Sequence, residues 1–253
     1  MLLRRIIDHV KHQNWTAVAL DFVIVVVGIL IAFQINAWSA RQAEMRSLNV
    51  ALERLRDEIQ FNIGVIDVNA KLHADIATAG HDLLQAVRDE DIDAIPMAWI
   101  GTVFVEGFTS DYSTGALTYV LNQQVFHSTQ NGELRRVVTT LPAEYQDALE
   151  DERNAILLLD TQWVPYISQY LPVETFWNAV NNVRGGAGSF ADLDDIENKN
   201  AVSLREFKQL ASTLRFQNEV VNRIGYQDLI LIEQQKLRKV LEQALALIEE
   251  ELE

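Results

Sequence analysis

Cysteine is absent from this 253-residue chain, which excludes disulfides, thiolate metal sites and cysteine nucleophiles. The absence does not by itself assign a compartment. Positive charge is scarce beyond the N-terminal tail: residues 39–253 hold 18 basic against 34 acidic side chains, within a formal net charge of −15. A body of that sign does not attract a phosphate array, so nucleic acid is not an expected partner. Pairs of strand signals are lacking too, and no internal repeat is visible.

The signatures of site chemistry are equally sparse. The run Arg184-Gly185-Gly186-Ala187-Gly188-Ser189 has neither the Gly-Lys-Ser/Thr ending nor the preceding strand of a phosphate loop, and reads as a linker. Asp192, Asp194, Asp195 and Glu197 lack the glycine and ligand spacing of a calcium loop. His73 and His81 stand eight apart, neither with a second ligand at the spacing of a zinc helix, and read as solvated or lightly buried. His9 and His12 belong to the tail, facing headgroups, and His127 beside Ser128 does not define a nucleophile and base. No catalytic, metal or cofactor-binding residue is therefore assigned, and the expectation is a protein that is not an enzyme.

What the chain does have is one long apolar run. From Phe22 to Phe33 no side chain is polar, and with its shoulders the stretch 15–38 reaches the ~20 residues a helix needs to cross a bilayer. Trp15 and Trp38 fall where an interfacial aromatic belt belongs. A cleaved leader is the rival reading, with Ala37-Trp38-Ser39 as a loose cleavage site. It is disfavoured because Arg4 and Arg5 lie far from the apolar centre and Gln34 and Asn36 interrupt the approach. Basic residues nearly balance across the span, Arg4, Arg5 and Lys11 against Arg41, Arg46, Arg54 and Arg56. The short tail is net positive, whereas long domains translocate largely regardless of charge. The expectation is a membrane protein with a cytoplasmic tail (1–14), one transmembrane helix (15–38) and an extracytoplasmic domain (39–253).

At 100° per residue Ala17, Asp21, Gly28, Ala32 and Asn36 share one arc of that helix, a packing face built on a small-xxx-small pair. Asp21 serves either as a headgroup-level anion or as a polar contact to a partner helix. Asp21 followed by Gly28-Ile29-Leu30-Ile31-Ala32-Phe33-Gln34-Ile35-Asn36-Ala37-Trp38 resembles the N-terminal signature of a family of small bacterial single-pass membrane proteins with no assigned function. Ser113-Thr114-Gly115-Ala116-Leu117, with Asn122 and Leu134-Arg135, resembles that family's Ser-x-Gly-x-Leu turn and helix, with Ala116 where the family carries Asn. The resemblance implies a membrane-anchored helical domain, in a bacterial inner membrane with the body on the periplasmic side, and supplies no activity.

Beyond the span the pattern is helical throughout, and the fold class expected is all-α, one N-terminal transmembrane helix followed by an elongated helical bundle with a long C-terminal helix. Leu48, Leu52, Leu55, Ile59, Ile63, Ile66 and Leu72 repeat at three and four residues, with bends expected near Gly64 or Gly80 and a stop over 89–96. Helices are expected over 96–108, 113–122 and 133–141, with a loop over 122–132 and Pro142 opening the next helix. That helix carries Tyr145, Leu149, Ile156, Leu159 and Trp163 and is kinked or ended by Pro165. A short helix over 174–183 follows. Ser203 with Glu206 forms a capping box that starts a helix running most of the way to Glu253. Leu237, Leu241, Leu245, Ile248 and Leu252 make a near-heptad, coiled-coil-like seam in it, and the glutamates after Ile248 predict a frayed last turn unless something basic covers them.

The functional expectation is an interaction or accessory protein that meets another membrane protein, or a second copy of itself, through Asp21, Gly28, Ala32 and Asn36 and through the C-terminal seam. The alternative is a ligand-sensing body, binding near Trp163, Tyr166, Tyr170, Phe176 and Trp177 and signalling through a partner.

Overall fold

The computed structural model describes residues 15–91, 95–128, 131–171 and 204–253. All the secondary structure in them is helical. The segments 174–183, 185–189 and 192–197, the tail histidines, and Phe176, Trp177 and Ser203 lie outside the described residues.

The chain divides into two units, Met1–Ala51 and Leu52–Glu253. Helix α1 (Trp15–Arg88) supplies all of the described first unit and the opening helix of the second. It is unbroken through Gly64 and Gly80. A lone glycine weakens a helix by up to ~1 kcal/mol but removes no backbone hydrogen bond, so packing along the rest of the helix overrides it. The expected stop is met. Glu90 takes a left-handed φ of 58°, and the Asp91 amide donates back to the Ala86 carbonyl at 3.0 Å.

In the second unit α2 (Met97–Phe104), α3 (Gly115–Leu121) and the short α4 (Gln124–His127) lead into α5 (Gly132–Leu158). Helix α4 occupies what the sequence suggests is loop, because one apolar side chain in that polar stretch, Phe126, is fully buried and pulls a turn inward. Asn131 caps α5, its side chain accepting from the Leu134 amide at 3.0 Å.

Pro142 lies inside α5 rather than at the start of a new helix. Buried Val137, Val138, Leu141 and Tyr145 flank it on the inward face, and that burial outweighs a missing amide whose loss costs ~3 kcal/mol in a helix interior. Ahead of Pro165 the helix widens into one π turn, Leu159–Trp163, before α6 (Val164–Ile167). Such a turn absorbs the proline without ending the helix, and Leu159, Trp163, Tyr166 and Ile167 all remain inward.

The C-terminal helix is two helices, α7 (Leu204–Ala211) and α8 (Leu214–Leu252). The break falls at Ser212 and Thr213, whose hydroxyls donate back to the carbonyls of Lys208 and Leu210 at 2.8 and 2.7 Å. Thr213 then caps α8 by accepting from the Phe216 amide, and the corner brings Phe207 and Phe216 edge to face at 6.0 Å. The last turn does not fray: α8 is helical to Leu252, and Arg56 lies near enough for the Glu249 carboxylate to favour its charge. Helix α8 packs along α5, and both α2 and α7 also pack on it. The core below them is built on Leu83, Val103, Phe104, Trp163, Ile167, Phe216 and Val220.

Candidate interaction site

In the first unit the apolar part of α1 is long and apolar enough to cross a membrane, and none of it is covered by the protein itself. Phe22, Leu30, Phe33 and Trp38 are each more than half exposed. Asp21, Gly28, Ala32 and Asn36 are exposed on the same helix. A side chain grown from Gly28 would meet nothing within 4 Å. The face therefore has room for the close approach of another backbone, and its carboxylate and amide are polar groups at the two ends of a largely aliphatic helix.

The second candidate surface is used internally. Leu237, Leu241 and Ile248 are buried in the second unit, on a helix that packs along α5, while Leu245 and Leu252 are half-buried. The near-heptad spacing is explained by this intramolecular packing, which takes up Leu237, Leu241 and Ile248.

Comparison with protein-family models, curated proteins and solved structures finds no match to this chain.

The interior of the second unit holds a polar seam that sequence reasoning missed. Asn62, His73, Ser110, Glu152, Glu219, Arg223, Gln227 and Gln234 are all buried. Glu152 on α5 accepts from the Ser110 amide (2.5 Å), the Ser110 hydroxyl (2.6 Å) and Nε2 of Gln234 (2.9 Å), while Asn69 donates to the same hydroxyl at 2.8 Å. Arg223 on α8 donates from Nε to the Val103 carbonyl at 3.0 Å and from a terminal nitrogen to the Glu106 carbonyl. It thereby closes the C-terminal end of α2, with its guanidinium 4.9 Å from the Trp163 ring centroid. Burial pulls its pKa down to about 10.

The motif 113–117 is seated in the same way. The Glu58 carboxylate accepts from the Ser113 hydroxyl (2.9 Å) and from the amides of Ala116 (2.8 Å) and Leu117 (2.9 Å). Asn62 brackets Ser113, donating to its carbonyl at 2.7 Å and accepting from its amide at 2.9 Å, and its amide nitrogen also lies 2.7 Å from the Tyr145 hydroxyl. Ser-x-Gly-x-Leu is thus a turn and helix start held by two polar residues of α1.

A signal for this seam is present in the sequence. The inward face of α1 runs Leu55, Ile59, Asn62, Ile66, His73, Ile76, so polar residues occupy core positions, whereas Ile63 and Leu72 lie partly exposed. His73 is accordingly buried rather than solvated, and His81 is exposed. Of the aromatic group, Trp163 and Tyr166 are buried and Tyr170 is exposed. The ring faces of the buried two are taken by Arg223 and Arg215, and the Trp163 indole donates to Glu219 at 3.2 Å.

Proposed function

We propose that this chain is a membrane-anchored helical interaction protein, an accessory subunit whose single span recruits another membrane protein or a second copy of itself. The observation that carries the reading is the open surface at Gly28. On a helix whose aliphatic sides suit lipid, it offers a site of close backbone approach, with Ala32 and Asn36 on the same arc. Lipid satisfies the aliphatic sides, but an amide at the edge of hydrocarbon gains from a hydrogen-bonding partner on a neighbouring helix. The span is taken to lie in a bacterial inner membrane with its N-terminus in the cytoplasm and the acidic body outside.

Ligand sensing is the weaker reading. The faces of Trp163 and Tyr166, which an aromatic site would offer to a small molecule, are occupied by arginines of the chain itself.

The test is purification of the full-length protein in a gentle detergent, with the mass of the resulting complex determined, for the native chain and for Gly28→Leu/Ala32→Leu. The expected result is a complex larger than one copy that the double substitution dissociates. A complex of unchanged mass in the variant removes this face from the argument, and a bare monomer in the native chain removes the reading.

A further inference from the structure

His73 is 2% exposed, on the inward face of α1, and is held from one side only. Its Nδ1 lies 2.7 Å from Oε1 of Gln227 on α8, and the Phe108 ring stands edge-on at 6.2 Å. Its Nε2 is sealed from solvent without a partner, as is Nε2 of Gln227. A neutral imidazole donates to Gln227 from Nδ1 and leaves Nε2 as a lone pair. Turning the Gln227 amide over exchanges the roles but still leaves a buried ring nitrogen unmatched.

An imidazolium cannot be accommodated so cheaply, because it carries a hydrogen on both nitrogens and places a charge in the core. Two charged groups on neighbouring helices act on the ring: Glu152 of α5 favours the cation and Arg223 of α8 opposes it. The Glu152 carboxylate is already engaged by three donors, two from Ser110 and one from Gln234. Burial outweighs the hydrogen bond to Gln227, which like Glu152 favours the cation, and pushes the imidazole below its ordinary value.

We propose that His73 is a proton-operated release between α1 and α8: uptake of one proton at its sealed Nε2 puts an unmatched N–H and a positive charge between the two helices and opens the interior of the second unit in acid. The inference stands whether or not the membrane-face reading holds. The unfolded imidazole binds its proton near pH ~6.5 and the folded one at lower pH, so stability is complete above that value and is lost as pH falls toward the folded value. Within that window the opening equilibrium rises by up to about tenfold per pH unit, the signature of one proton.

The experiment follows hydrogen exchange around His73 and around Gln227 in the full chain in detergent, corrected for the intrinsic pH dependence of exchange, from about pH 7.5 to about pH 5. The native chain and a His81→Gln control are expected to open by about tenfold per unit in the window, while His73→Gln and His73→Phe stay flat. A flat native profile, or His73 variants that keep the native slope, overturns the proposal. Should both His73 variants fail to fold, the imidazole resonances of the native chain decide. Titration of His73 below its ordinary value, in step with opening, supports the release, and ordinary titration without opening overturns it.

Discussion

Gly80 on α1 faces Ile224 on α8 so closely that a methyl group on its Cα would stand 2.7 Å from Ile224 Cγ1 and 3.6 Å from Val220 Cγ1. A residue that reads as a weakness in the sequence is the point at which two long helices approach each other.

The first prediction is a contrast between two glycines of one helix. Gly80→Ala should destabilise the fold by about 1–2 kcal/mol, since Ile224 is itself buried and has little room to withdraw. Gly64→Ala, whose new methyl meets nothing within 4 Å, should stabilise by up to ~1 kcal/mol through helix propensity alone. Urea unfolding of the two variants checks the opposite signs.

The second concerns the buried carboxylate of Glu152. Glu152→Ala strands the Ser110 amide and hydroxyl and should cost about 3 kcal/mol or more. Glu152→Gln should cost about 1 kcal/mol, because the Gln234 amide can turn over and present its unpartnered Oε1 to the new amine. Thermal unfolding ranks the pair, and equal losses would mean that the charge itself is required.

The third tests the seat of the 113–117 turn. Glu58→Ala removes the acceptor for the Ala116 and Leu117 amides at the start of α3, an end where negative charge is favoured, and should cost about 1–2 kcal/mol. Hydrogen exchange at those two amides should accelerate in the variant while the amides of α8 stay protected.

The fourth is alkaline. Burial pushes the Tyr112 hydroxyl up to about 12 and raises Tyr145 as well, and the two rings pack at 5.1 Å. Both favour the neutral phenol in the fold, so their stabilisation is complete below pH ~10 and is lost as pH climbs toward the folded values. A spectrophotometric titration should show late-ionising tyrosines, and Tyr112→Phe should reduce their number by one.

The all-helical character, the apolar span in α1 and the end of that helix near Arg88 were legible from the sequence because each depends on local pattern: periodicity, a run without polar side chains, a polar stretch before Pro96. The continuity of α5 through Pro142 and the corner at Ser212 and Thr213 were not. Both are decided by packing in the core, the burial of Leu141 and Tyr145 beside the proline in one case and the pairing of Phe207 with Phe216 in the other. The candidate site divides in the same way. Gly28 and Ala32 can be placed on one arc by helical arithmetic, whereas the seam at Leu237, Leu241 and Ile248 looked external until α5 was seen packing along its helix. The polar interior was the least legible part. Asn62, His73, Glu152 and Gln227 belong to segments far apart in the chain, and a polar side chain at a core position declares its role only when its partner is brought beside it. Sequence alone determined that the chain is helical and which stretch suits a membrane, because both rest on local pattern; tertiary packing decided where the helices begin and break and which polar groups share the core.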